Sequence, residues 1–206
     1  VGTSRRVLRV GALATLSRNF QLQYLRPLLP GDDVRIVLRS GTLAGLLQSL
    51  RAHVIDVLLS NTAPPRDATT PWISHLIAEQ PVSLIGPAGH EGADRPLVEL
   101  LADEPLLLPT VESSIRTGFD ALCDRLGVRP RIVAEVDDMA MLRLLAREGM
   151  GLAVVPPIVV AGELRTGLLA ELARLPDLTE AFHATTLARR FPNPLLRRLP
   201  PLASEA

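Results

Sequence analysis

Residues 128 to 157 read VRPRIVAEVDDMAMLRLLAREGMGLAVVPP, and the alternation inside that stretch decides the fold. Arg131 to Val136 is a short run rich in β-branched residues, the composition of a strand. Asp137 or Asp138 stands where a helix N-cap belongs, and Gly149 stands where the helix must stop. Leu152 to Val155 is a second strand, closed by Pro156-Pro157 because proline has no N–H to give to a ladder. Strand, helix and strand in that order form a βαβ unit, the building block of a parallel sheet.

The same alternation extends in both directions. Upstream, Leu106 to Leu108 reads as a strand leading through Pro109-Thr110-Val111-Glu112 into a helix from Ser113 to Leu126. In that helix Phe119, Leu122, Cys123 and Leu126 recur at i, i+3, i+4 and i+7, and Gly127 ends it. Strands are expected near Ile73 to Ala78 and Val82 to Ile85, then a short helix from Leu97 to Ala102. The first part of the chain mirrors this layout. Val7 to Gly11, Val34 to Leu38 and Ile55 to Ser60 read as strands; Ser17 caps one intervening helix, and Ser40 or Thr42 caps the other, which runs through Arg51. His53 falls where a helix C-terminus needs a left-handed residue. Pro30-Gly31-Asp32-Asp33 is a turn, and the proline-rich run from Ala63 to Pro71 is a connection. Downstream, Ile158 to Arg165 fits a helix, Phe182 to Ala188 a strand and Asn193 to Leu199 a last short helix. The fold class is α/β, arranged as two βαβ lobes.

Composition removes whole classes of function. The 206 residues carry 22 basic and 22 acidic side chains, so the broad positive field that drives non-specific nucleic-acid binding is missing. Every basic residue is Arg, which excludes the Walker A loop, the pyridoxal Schiff base and other lysine-dependent chemistry. No run of apolar residues is long enough for a membrane span. The single cysteine, Cys123, cannot form an internal disulfide and lies on an apolar helix face, so a core role in a reducing cytoplasm is expected. The opening residues show neither a secretion leader nor an anchor, and neither is expected. His53, His75, His90 and His183 have no metal-ligand spacing, and in the acidic group Glu135, Asp137 and Asp138 strand alternation keeps Glu135 from converging with its neighbours while Asp137 or Asp138 is explained as a helix cap. Neither a metal site nor a catalytic residue is expected.

What remains is a set of uncharged polar residues at the carboxyl ends of strands. Thr15 and Ser17, with Leu16 between them, follow the first strand, Ser40 and Thr42 the second, and Asn61 the third; Thr110, Ser113 and Ser114, with the apolar Val111 among them, follow a strand of the second lobe. In open α/β sheets ligands lie beyond the carboxyl ends of strands, where helix N-termini offer N–H donors. These ten residues are the candidate ligand contacts, in a cleft between the lobes. The alternative for each hydroxyl is that it only caps its own helix.

Three stretches carry a resemblance to a known family. LRAHVIDVLLSNT from Leu50 to Thr62 resembles a helix end, strand and loop of LysR-type transcriptional regulators, with His53 where that family usually has Gly. VRPRIVAEVDD from Val128 to Asp138 and MAMLRLLAREGMGLAVVPP to Pro157 are similar to the same family's strand, helix and Gly-x-Gly strand. LLLPTVESSIR from Leu106 to Arg116 and FHATTLARR from Phe182 to Arg190 resemble its NhaR-like subgroup.

The resemblance implies a fold of the type 2 periplasmic-binding-protein kind, with lobe I at residues 6 to 78 and 181 to 206 and lobe II at 79 to 180. It implies effector contacts from Thr15 to Ser17 and from Thr110 to Ser114, a homodimer or tetramer, and a winged helix-turn-helix absent from this chain through which alone DNA would be met. The expected partner is a small-molecule or ion effector, with no cofactor and no membrane, and the expected location is cytoplasmic. A transporter's solute-binding receptor shares the fold and is the alternative reading. Sodium, an anion and an organic acid all remain open as effector.

Overall fold

The computed structural model describes residues 6–29, 33–65, 70–92 and 95–200. Most of the turn expected at Pro30 to Asp33, part of the proline-rich connection, and residues 201 to 206 of lobe I lie outside them. The chain divides into two compact units, one formed by residues 1–16, 20–79 and 181–206, the other by residues 17–19 and 80–180.

In the first unit β1 (Arg6–Leu13) lies between β2 (Val34–Gly41) and β3 (Val57–Ser60), parallel to both. Parallel strands need a crossover, and α1 (Arg18–Leu25) and α2 (Leu43–Arg51) supply it. All four residues of β3 are buried, as expected of a strand covered on both faces. Leu46 and Leu50 form the buried side of α2, and Phe20 of α1 stacks on Phe182 with ring centres 3.9 Å apart. The α2 C-terminus is left through His53 at φ 59°, the left-handed conformation that a chain reversal requires there.

The second unit repeats the plan. Here β5 (Pro105–Pro109) lies between β6 (Arg131–Val136) and β7 (Leu152–Val155), parallel to both. Its helices are α3 (Leu97–Asp103), α4 (Ser114–Leu126), α5 (Met139–Arg147) and α6 (Ala161–Thr166). Ser113 caps α4 and Asp138 caps α5, accepting from Ile115 N at 3.3 Å and Ala140 N at 2.8 Å. Gly127 and Gly149 end the same helices at φ 68°. Phe119 is fully buried in a core that includes Leu100, Leu106, Leu122, Leu142 and Val154. No helix among the described residues is long and apolar enough to cross a membrane.

Two long strands carry the chain between the units, and both correct the sequence reading. The two strands expected around Pro81 are one strand, β4 (Trp72–Pro87). Proline deletes one ladder donor, but its fixed φ suits an extended chain, so the strand continues through it. Likewise the strand expected from Phe182 begins much earlier, as β8 (Leu169–Leu187). Its first half, LAELARLPDLTE, is poor in β-branched and aromatic residues, and pairing imposes the strand against that propensity. The strands hydrogen bond in the order β2-β1-β3-β8-β4-β7-β5-β6, with β8 antiparallel to β3 and β4 antiparallel to β7. The helix expected at Ile158 to Arg165 is split into a 3-10 turn (Pro157–Val160) and α6, and a second such turn (Pro194–Arg198) stands for the last helix.

Gly151 marks the closest backbone approach in the second unit: a Cβ there would lie 2.6 Å from the Pro105 carbonyl oxygen. Gly151→Ala is expected to force β7 from β5 and lower stability by about 1 to 3 kcal/mol in urea unfolding. His53→Gly is expected to act the other way. It relieves the left-handed strain of a side chain with a Cβ and raises stability by about 0.5 to 1 kcal/mol in the same assay.

Candidate effector-binding site

The parallel register of the first unit places three loops side by side. Leu13 pairs with Gly41 and Ala12 with Leu59, so the loop after β1 lies between the loops after β2 and β3. Ala14 N donates to Gly41 O at 3.1 Å and Leu16 N to Leu13 O at 3.0 Å, which fixes the Thr15 turn. Thr15 is half-buried, whereas Leu16 and Ser17 are buried. Ser40 is exposed within β2, Thr42 is exposed, and Asn61 is half-buried beyond β3. The Thr42 hydroxyl oxygen accepts from Gly45 N at 3.3 Å as the cap of α2. Ser60 Oγ donates to Thr62 O at 2.6 Å and so shapes the loop that carries Asn61.

In the second unit the four candidates occupy one turn between β5 and α4. Thr110 N donates to Val136 O at the end of β6, and Ser113 N donates to Thr110 O. Val111 is exposed, Ser113 is buried and Ser114 begins the helix on its exposed side. A cap hydroxyl accepts through a lone pair and keeps its own proton. Ser113 Oγ, and Thr42 Oγ1 likewise, can therefore cap a helix and still donate outward. Thr110 is engaged otherwise: its hydroxyl donates to Glu112, which together with a backbone N–H holds that carboxyl below the usual range. Glu112 escaped the sequence reading because a lone exposed carboxylate gives no pattern.

Asn19 also escaped it. Residues 17–19 cluster with the second unit, where Asn19 Nδ2 donates to Ile158 O at 2.9 Å and Val159 O at 3.1 Å. Ser17 belongs to this group and not with Thr15 and Leu16.

A family model described as the LysR substrate binding domain matches residues 2–200. The chain belongs to that family. Transcriptional activator protein NhaR of Escherichia coli (strain K12) is 22% identical over 193 residues, covering 92% of this chain and 63% of that protein. This LysR substrate-binding domain therefore spans less than two thirds of its curated relative. Among solved structures, the cofactor-binding domain of the Cbl transcriptional regulator matches it with a TM-score of 0.76 at 20% identity, covering 100% of this chain and 92% of that one. The effector binding domain of QuiR in complex with shikimate matches with a TM-score of 0.69 at 14% identity, covering 97% and 96%. Such likeness shows the fold, and the family is one of transcriptional regulators rather than transport receptors.

Other singled-out residues of the LysR domain have structural roles. Cys123 is buried, and burial, with the charges of Asp120 and Asp124, pushes its thiol up to about 11. A thiol so rarely ionised is a poor nucleophile at neutral pH. Glu135 meets Arg116 at 2.5 Å and Asp138 is a cap, so that acidic group does not converge. His183 of β8 pairs in register with Ser60, and burial lowers its pKa below the ordinary 6.5. The unfolded chain then binds the more protons in the window just under 6.5, so stability is full above that window and is lost as pH falls through it. Unfolding free energy is expected to fall as pH drops through the region just below 6.5, and His183→Gln to flatten that fall; an unchanged slope would remove His183 as its cause.

Proposed function

We propose that this domain senses a small organic acid for a transcriptional regulator. Residues 6 to 78 with 181 to 206, and residues 79 to 180, act as its regulatory lobes. The observation that carries the reading is the donor set at the strand ends: the Thr15 turn locked against Gly41 in one unit, and the Ser113 hydroxyl with the first N–H groups of α4 in the other. Hydroxyls, N–H groups and the positive end of a helix suit a carboxylate and offer a bare cation little. Thr15, Leu16, Ser17, Ser40, Thr42, Asn61, Thr110, Val111, Ser113 and Ser114 are the proposed contacts. The shikimate bound by QuiR is itself a small carboxylate, which supports that class over sodium.

The regulator reads DNA through a separate N-terminal domain, works in the cytoplasm as a homodimer or tetramer, and makes or breaks no bond in its effector. Binding acts by population shift, because the ligand favours whichever arrangement of the domain it contacts best.

Thermal-shift measurements with small carboxylic acids, sodium chloride and potassium chloride test the ligand class. An acid at about a hundred times its dissociation constant stabilises by about 2.7 kcal/mol, and the two chlorides should be equivalent. A shift specific to sodium, with none from any acid, would sink the carboxylate reading. With the identified acid, Thr15→Ala and Ser113→Ala are each expected to weaken binding by about 1 to 2 kcal/mol, roughly tenfold. Parent-like affinity in both variants would remove both hydroxyls from the site.

A further inference from the structure

The first unit has a concave feature at the ends of its strands opposite to the Thr15 turn. A cavity of about 210 Å³ is lined by the polar Asp56, Arg189 and Asn193 and by the apolar Ile73, Leu187 and Leu196, among others. Asp56 immediately precedes β3, whereas Asn61 immediately follows it. The four residues of β3 separate them, five steps of extended chain or about 16 Å. The cavity is thus distinct from the strand-end loops and does not depend on the function proposed for them.

Asp56 is buried, with 7% of its side chain exposed, and its charge is met from several directions. Its Oδ2 accepts from Arg9 N at 2.9 Å and from Asn193 Nδ2 at 3.1 Å. Two guanidinium groups approach it at the margin of ion-pair distance: Arg189 Nη1 at 3.5 Å from Oδ1 and Arg9 Nη1 at 4.0 Å from Oδ2. Arg189 Nη2 donates to Ile55 O at 3.1 Å. Arg189, only 18% exposed, is the guanidinium that lines the cavity, and its contacts with Asp56 and Ile55 engage two of its five N–H groups.

We propose that this cavity is a second ligand site, taking a small monocarboxylate with an apolar body. The carboxylate pairs with Arg189, and the body lies against Ile73, Leu187 and Leu196. Bidentate contact with a carboxylate is what a guanidinium with N–H groups still to place favours. The size fits, since an apolar cavity of about 150 Å³ is enough to hold a benzene ring. The ligand would also brace the segment that Asn193 fastens to β1 through Val7 O at 2.8 Å.

Benzoate is the probe, with benzyl alcohol as its uncharged counterpart, followed by methyl NMR of the chain. Titration to about 20 mM covers dissociation constants in the millimolar range. Saturable shifts at the methyl groups of Ile73, Leu187, Ala188 and Leu196, at least tenfold weaker for benzyl alcohol, are expected. Ala188 is exposed and borders the cavity, so Ala188→Phe should fill its mouth and weaken benzoate at least tenfold. Unmoved signals at these methyls, equal affinity for benzyl alcohol, or equal affinity in a folded Ala188→Phe chain would overturn the site. If that variant does not fold, the methyl map of the parent chain decides. Shifts at Thr15 and Thr110 in place of these would refute this site while leaving the strand-end reading intact.

Discussion

Parallel pairing is the constraint on which the rest of the structure depends. Because β1 runs parallel to β2 and β3, and β5 parallel to β6 and β7, the chain has to return across the sheet after each strand. Each return through a helix starts at the carboxyl end of a strand. The helix N-termini, with their unpaired N–H groups, are therefore gathered at one edge of each unit. Polar residues gather there because that edge needs caps, and an edge that needs caps is also one that can receive an anion.

The two demands meet in single hydroxyls. Thr42 and Ser113 satisfy a helix start with a lone pair, so the oxygen is held in place by the fold before any ligand arrives. Such fixing is what a binding group requires, since a donor already in position loses little freedom on binding. Capping and ligand contact are consequently compatible readings of one atom. Thr110 illustrates the limit: its proton is directed at Glu112, and a ligand would have to compete with a carboxylate for it.

At the other ends of the strands the chemistry is different. There the first unit uses a buried carboxylate, Asp56, to hold β1, β3 and the chain around Asn193 together. A buried charge is tolerable only when it is well supplied with donors. Backbone N–H, amide and guanidinium groups all contribute here, and Arg189, held by Asp56 and Ile55 O, keeps further N–H groups beside the cavity.

Much of this was determined by sequence alone. Local signals placed β6 at Arg131–Val136 and β7 at Leu152–Val155, narrowed two caps to Asp137 or Asp138 and to Ser40 or Thr42, and put Gly127, Gly149 and the left-handed His53 at helix ends. Each of these rests on residues within a few positions of one another, where periodicity, capping and backbone sterics act. Tertiary structure alone decided the length of β4 and β8, because a neighbouring strand supplies the hydrogen bonds that Pro81 and the Leu169 to Glu180 segment do not predict. It also decided the placement of residues 17–19 in the second unit and the meeting of Asp56 with Arg189, positions 133 residues apart. A charge pair of that separation leaves no local pattern, since only the folded sheet brings its members within reach of each other.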